Sequence, residues 1–328
     1  MAGIAERADQ RLLLAAAGAG GTLILLGAAL DRSIGATGRR GRPLALRRNY
    51  RDRPVVLVGP AVALAAGLCA AAGAARPVVA RSALGTALAA GALGIYDDVA
   101  GQRPAEQSDR GIGGHLAALR AGRVSAGAVK AVGLALTGVA AAGSLAGPAG
   151  TTGLTRRPTG RPLAGARLDR LVAGGVIAGL ANLINLFDRR PGRALKVALA
   201  LGLPLLPTPA GPLVAGPLGV VVAALPADLA EEAMLGDCGA NALGAVLGFA
   251  VVAGGGPRSR ALVLALVAGL TAVSERVSFT DIIARVPALR WLDELGRPDD
   301  IGPTTSAGPA TSAGPATSGG PATSAGPN

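Results

Sequence analysis

The sequence predicts an all-α, polytopic transmembrane helical bundle with a disordered carboxyl-terminal tail, and three observations predict it. Hydrophobic residues, mostly Ala, Leu and Val, make up 50% of the 328 positions, and Gly is also abundant. They gather in apolar runs, several of them long enough to cross a bilayer as helices. The basic residues behind the formal charge of +12 lie between those runs, where Lys and Arg set membrane orientation. No recognisable nucleic-acid-binding module collects these charges, so the excess is read as topology and nucleic acid is not expected as a partner. Cys69 and Cys238 fall on different expected elements, and the pair suggests neither a disulfide framework nor a metal site.

The first apolar run, Leu12 to Leu30, is long enough to span. It lacks the short basic lead and small-residue cleavage site of a signal peptide, so it reads as an uncleaved first helix. Further spans are expected at Val55 to Ala75, Val78 to Ile95, Ser125 to Leu145, Leu171 to Phe187, Ala194 to Leu206, Pro212 to Leu225, Ala240 to Ala253 and Ala261 to Val273, nine in all. Pro204, Pro207 and Pro209 mark the turn between the sixth and seventh. Gly174, Gly175 and Gly179 predict close helix contact through small residues.

Arginines crowd the loop after the first span, from Arg32 to Arg53, and Arg103, Arg110, Arg120, Arg123 and Lys130 follow the third. Both loops are expected on the cytoplasmic side of a plasma membrane. Nine spans then leave the amino terminus outside and the carboxyl terminus inside, although Arg156, Arg157, Arg161, Arg167 and Arg170 fall in an outer loop. The transmembrane domain is expected over 1–298. From Asp299 the chain turns into a repeat of Gly-Pro-Ala-Thr-Ser-Ala type with no apolar face to bury, so 299–328 is read as a low-complexity disordered tail.

Within this frame the informative residues are acids at helix ends. Asp97 and Asp98 close the run that begins near Val78, Asp188 closes Asn185-Leu-Phe-Asp188, and Asp237 opens Gly236-Asp237-Cys238-Gly239. Ionised side chains inside a membrane face cavities or the interface. The expected topology puts all four on one side, near basic loops and facing the compartment that holds nucleotides. That arrangement suits a magnesium-dependent transfer involving a diphosphate, because magnesium takes carboxylate and phosphate oxygens and neutralises charge between anionic reactants. Plainer readings stand beside this one: Asp237 as a helix cap, Asn185 as an interhelical hydrogen bonder, and Lys130, Arg189, Arg190 and Arg193 as positive-inside residues.

At Gly94-Ile95-Tyr96-Asp97-Asp98, at Asn185-Leu186-Phe187-Asp188 and at Gly236-Asp237-Cys238-Gly239 with Leu243-Gly244, the chain resembles the polyprenyl-phosphate N-acetylhexosamine-1-phosphate transferase family. That family includes the phospho-MurNAc-pentapeptide translocases and the GlcNAc-1-phosphate transferases. The resemblance covers most of Tyr50 to Arg297, and Gly114-His115 and Gly127-Ala128-Val129-Lys130 look like the family's second cytoplasmic loop. It implies transfer of a sugar-1-phosphate from a UDP-sugar to polyprenyl phosphate, releasing UMP, for cell-envelope glycoconjugate synthesis. Asp237, with Asp98, would hold Mg2+ or alternatively Mn2+. Asp97 would position or deprotonate the lipid phosphate, Lys130 would hold a phosphate, and Asn185 and Asp188 would contact the nucleotide sugar. A homodimer is also compatible with it.

The chain departs from the family pattern in three places, one being that no final span is expected after the Ser274 to Phe279 segment. After Asn185 it reads Asp188-Arg189-Arg190-Pro191-Gly192, with two cations where members usually carry Asp-Gly-x-Asp-Gly. Arg189, Arg190 and Arg193 could clamp a diphosphate instead, since guanidinium groups bind phosphate in bidentate fashion. Ser274 to Phe279 stands where the family's histidine-bearing loop belongs, and the one histidine is His115. A catalytically inactive homologue that binds polyprenyl phosphate or scaffolds envelope assembly is therefore the competing expectation. A transporter would carry charge near mid-membrane or repeated broken helices, and ranks last.

Overall fold

The computed structural model describes residues 46–101, 103, 106, 111–145 and 163–298. The chain divides into two units, Met1–Arg297 and Pro298–Asn328. The first apolar run, the outer loop around Arg156 and the repeat lie outside the described residues.

Two short strands open the described chain, β1 (Leu46–Arg48) and β2 (Pro54–Leu57), followed by α1 (Gly59–Gly73), α2 (Pro77–Ala100), α3 (Gly111–Arg120) and α4 (Ala126–Leu145). Then come α5 (Leu163–Phe187), α6 (Arg193–Gly202) with a 3-10 turn at Leu203–Leu205, α7 (Gly211–Leu229), β3 (Ala233–Met234), α8 (Gly236–Gly254), α9 (Pro257–Ser274), α10 (Phe279–Arg285) and α11 (Pro287–Glu294). The protein is an all-α helical membrane protein. Among the described residues six helices, α2, α4, α5, α7, α8 and α9, are long and apolar enough to cross a bilayer.

Two of the expected spans differ. The run from Val55 divides into strand β2 and the 15-residue helix α1, because Val55 and Val56 are β-branched and favour extended backbone. At about 1.5 Å per residue, α1 reaches only about 22 Å, short of a hydrocarbon core of about 30 Å. The run from Ala194 forms the ten-residue α6 and then tightens into the 3-10 turn at Pro204.

Helix α8 is the axis of the bundle. It is apolar on all faces, so it can be covered on all faces, and 89% of its span window is buried. Helices α1, α2 and α5 pack directly on it. Small residues permit the close approach. A Cβ at Gly244 would lie 2.3 Å from the Leu180 carbonyl oxygen on α5, and one at Gly94 on α2 would lie 2.4 Å from the Asp237 carbonyl. At the end of the bundle away from Asp237, Arg260 of α9 donates to Asp169 of α5 at 2.9 Å and to the Val252 carbonyl of α8.

The three strands form one small sheet in the order β1-β2-β3. β1 runs antiparallel to β2, with Arg47 opposite Val55, and β2 runs parallel to β3, with Val56 opposite Ala233. β2 leads into α1 and β3 leads into α8, so the sheet fixes the starts of these two helices side by side. The Asp237 turn is thereby held against the segment carrying Arg47 and Tyr50.

Candidate active site

Four separate elements bring their polar residues to one end of the bundle. Helix α2 continues past Ile95 to Ala100, so Asp97 and Asp98 lie in its last turn rather than in a loop. Lys130 sits in the second turn of α4, Asn185 in the last turn of α5, and Asp237 in the first turn of α8. Asp188 follows α5 by one residue.

Lys130 is the hub. Its Nζ donates to Asp97 Oδ2 and to Asp237 Oδ2, each at 2.5 Å. With its amide turned to suit these neighbours, Asn185 donates to Asp237 Oδ1 at 3.0 Å and accepts from Lys130 Nζ at 3.1 Å. The Lys130 side chain is 12% exposed, and those of Asp97 and Asp237 are 18% and 26% exposed. These charge-assisted bonds are therefore shielded, though not sealed, from water.

Asp98 and Asp188 serve the start of α8. The residue preceding that helix, Leu235, has no side-chain oxygen to cap it. Asp98 Oδ2 accepts from the Cys238 N–H at 3.4 Å, one of the N–H groups that a helix start leaves without partners, and the Gly236 N–H faces the Asp188 carboxyl. Burial, reinforced by Asp228, Asp237 and Asp98, pushes the Asp188 carboxyl well above the ordinary carboxylate range, against the opposing pull of the Gly236 N–H.

The cations of the Asp188 turn separate. Arg189 is exposed and Arg190 half-buried, and the Arg190 guanidinium carbon stands 4.1 Å from the centroid of the Tyr50 ring, a cation–π contact. Both line a cavity of about 610 Å³ with Tyr50, Asp188, Asp228 and Glu231. Arg193 does not join them. It is buried, and its guanidinium donates to Asp293 at 2.7 and 2.8 Å and to Thr280 at 2.9 Å. It is committed to the carboxyl-terminal helices rather than open to a diphosphate. His115 pairs with Ser125 at 2.8 Å, in keeping with a structural hydrogen bond.

Three residues at this end escape sequence reasoning. Arg47 donates to the Asp98 carbonyl at 2.5 Å, Tyr50 supplies the ring under Arg190, and buried Asp228 accepts from the Gly192 N–H at 2.6 Å. Gly192 has φ of +74°, a left-handed conformation that glycine adopts without steric cost. The Asp228 bond therefore fixes the turn that carries Asp188 and the arginines. A lone tyrosine beside an arginine cluster was the available signal for Tyr50.

Asp97, Asp98, Asp188, Asp228 and Asp237 gather here, interleaved with Lys130, Arg47, Arg189 and Arg190. Hard carboxylate oxygens fit magnesium in kind. They form no ready-made cage, for among the described residues no three acidic, His or Cys side chains converge on a metal position, and Lys130 stands between Asp97 and Asp237. Any ion would rest on Asp237 and Asp98 together with oxygens brought by a substrate.

Fold and site together define a helical membrane protein with a lysine-bridged carboxylate cluster at one end of its bundle. No protein-family model matches the chain, and no curated protein matches it.

Proposed function

We propose that the protein is a phosphoglycosyl transferase that moves a sugar-1-phosphate, of N-acetylhexosamine type, from a UDP-sugar to polyprenyl phosphate. One observation carries this reading: Asp97 and Asp237, singled out as acids at helix ends, and Lys130 and Asn185, singled out by the family resemblance, are set far apart in sequence yet share one hydrogen-bonded network. An oxygen of the lipid phosphate attacks the sugar-bearing phosphorus of the donor, the bond from that phosphorus to the UMP oxygen breaks, and UMP leaves. Asp97 keeps the attacking phosphate in its anionic form, and Lys130 stabilises charge on the transferring group. Asn185 and Asp188 contact the donor, while Arg189 and Arg190 offer guanidinium groups to its diphosphate from the cavity beside Tyr50. Magnesium, held by Asp237 and Asp98, supplies charge neutralisation when bound.

The same reading puts the site on the cytoplasmic face of the plasma membrane, where UDP-sugars are found. Its support is the basic segment 46–53 and the Arg120 and Arg123 pair at the site end. A second reading has its own observation. Lys130 already satisfies Asp97 and Asp237, and Arg193 is already taken by Asp293, as suits an inactive relative that binds polyprenyl phosphate as a scaffold.

The deciding experiment measures UMP release by purified protein given polyprenyl phosphate and a panel of UDP-N-acetylhexosamines, with and without magnesium. Lipid-dependent release that disappears in Asp98→Asn and Asp237→Asn, with folding retained, establishes the transferase. Silence across the panel, with lipid phosphate still bound, establishes the scaffold. Full activity in both variants removes the site.

A further inference from the structure

The carboxyl-terminal arm has one face fixed to the protein and one face fixed to nothing among the described residues. Asp293, on the polar side of α11, holds Arg193 in a two-point fork and also receives Arg297 at 3.0 Å. Lys196 donates to the carbonyls of Leu292 and Asp293 at 3.0 and 2.7 Å, and Arg297 reaches the Pro191 carbonyl at 3.0 Å. At the start of the arm, Phe279 stacks on Phe187, with centroids 4.9 Å apart and planes 3° from parallel. The arm is thus pinned to the α5–α6 turn, next to Asp188.

The other side of α11 is apolar and open. Leu289, Leu292 and Leu295 follow one another at helical spacing, with Trp291 beside them, and Trp291 is 65% exposed. Eight residues span about 12 Å, too little to cross a bilayer. The chain enters this arm from α9, a helix of spanning length of which only 11% of the window is buried. Leu262 and Leu266 of α9 are exposed, and so are Val273 and Val277 as the arm begins. Exposed Glu275, Arg276, Asp281 and Arg285 intervene in the chain, but the exposed apolar side chains of α9 lead by way of Val273, Val277 and Val286 to the open face of α11. A tryptophan with leucines on one face and charged residues on the other is the pattern of a helix lying in a membrane interface.

We infer that α11 lies in the plane of the bilayer at the site end of the bundle, its occupant the headgroup and upper acyl region of the lipid, with Trp291, Leu292 and Leu295 inserted. This inference rests on the membrane reading of the bundle and not on the transferase activity, so it stands or falls separately. It also gives the Arg193–Asp293 fork a purpose beyond stability. The fork ties the turn carrying Asp188 and Arg190 to the depth at which lipid phosphates sit.

Trp291 is the single tryptophan of the chain, so the unmodified full-length protein reports on this helix directly. Reconstituted into vesicles of phosphatidylcholine brominated high on the acyl chain, the protein should lose about half of its tryptophan emission relative to unbrominated vesicles. Bromine near the chain end should quench less, and aqueous iodide little. Emission unaffected by brominated lipid overturns the inference: with strong iodide quenching the arm stands in water, and with neither quencher active it is covered by protein, either a second copy or another chain. Leu292→Ser combined with Leu295→Ser should weaken lipid quenching and raise iodide quenching; unchanged lipid quenching in that variant also overturns the assignment.

Discussion

Replacing Lys130 by Met keeps the aliphatic stem and its packing but removes the positive charge shared by Asp97 and Asp237. Two carboxylates then face each other at the membrane boundary with no cation between them. Unit charges 4 Å apart attract by about 4 kcal/mol at an effective dielectric constant near 20, before desolvation is subtracted. Breaking a fully buried pair costs about 3–5 kcal/mol, and an exposed pair about 0.2–1. With side chains 12%, 18% and 26% exposed, the Lys130 triad lies nearer the buried limit but keeps some water. We therefore expect Lys130→Met to cost about 2–3 kcal/mol. By the scaling of domains of similar size, that lowers the unfolding midpoint by about 5–10 °C.

The assay is thermal unfolding of the purified protein in detergent, followed by circular dichroism. Adding Asp97→Asn to Lys130→Met removes one of the stranded charges, so the double variant should be more stable than Lys130→Met alone, the signature of direct coupling. Asp97→Asn by itself should cost less than Lys130→Met, because Lys130 keeps Asp237. If Lys130→Met unfolds within about 1 °C of the wild type, or if the two substitutions simply add, the triad is not the stabilising hub argued above.

Three further outcomes are expected. Gly94→Ala would set a methyl group 2.4 Å from the Asp237 backbone, forcing α2 and α8 apart at a cost of about 1–3 kcal/mol and moving Asp237 from Lys130; Gly85→Ala, in the same helix with nothing within 4 Å, should be neutral or slightly stabilising by the same melting measurement. At Asp293 burial works against the charged form, but hydrogen bonds and charge from Arg193, with Arg297, win and hold the carboxyl below its ordinary value. Its stabilisation is therefore present above the unfolded carboxylate value of about 3.9 and is lost as pH falls through the lower folded value. Melting of wild type and Asp293→Asn should differ most near neutral pH and converge in acid, and a gap that is constant with pH refutes this. In the UMP-release assay, Asp98→Asn and Asp237→Asn should be inactive while melting within a few degrees of the wild type: about 1 kcal/mol is the usual cost of a weakened helix cap at Asp98, and in Asp237→Asn Lys130 keeps Asp97.

Much of the helical frame was legible because membrane helices are written in long apolar runs, and hydropathy reads length well. Helix ends were less legible. Hydropathy stops at Ile95, whereas α2 keeps its backbone bonds through Asp97 and Asp98 to Ala100, since Lys130 and the start of α8 provide the partners that let acids remain helical there. The sheet was invisible. Val55 and Val56 merged into the apolar run behind them, and the parallel partner, Ala233–Met234, is two residues long with no alternation to detect. Among the site residues, Asp97 and Asp237 could be singled out because an acid at the boundary of an apolar run is costly without a purpose, whereas Asn185 and Lys130 stood out only through the family resemblance. Arginine carries no such signal in an arginine-rich chain. Arg193 pairs with an acid one hundred positions away, Arg190 covers a tyrosine ring, and neither choice is written in local spacing.

The way the acids are held bears on how a ligand could bind. Lys130 takes Asp97 and Asp237, the Cys238 N–H takes Asp98, and the Gly192 N–H takes Asp228. Each of these carboxylates has a partner from the protein itself, so the cluster needs no ligand to remain folded. A phosphate arriving at Lys130 must therefore exchange with a carboxylate rather than fill a gap. The exchange strands Asp97 or Asp237 unless a cation or a proton comes with the phosphate. On the transferase reading this couples the two requirements: the anionic substrate opens the acid pair, and the opened acid pair recruits positive charge. A scaffold that holds the lipid phosphate elsewhere and leaves Lys130 to its two acids has no such need. Dependence of lipid-phosphate binding on divalent cation, measured without any nucleotide sugar, accordingly separates the two readings before catalysis is tested.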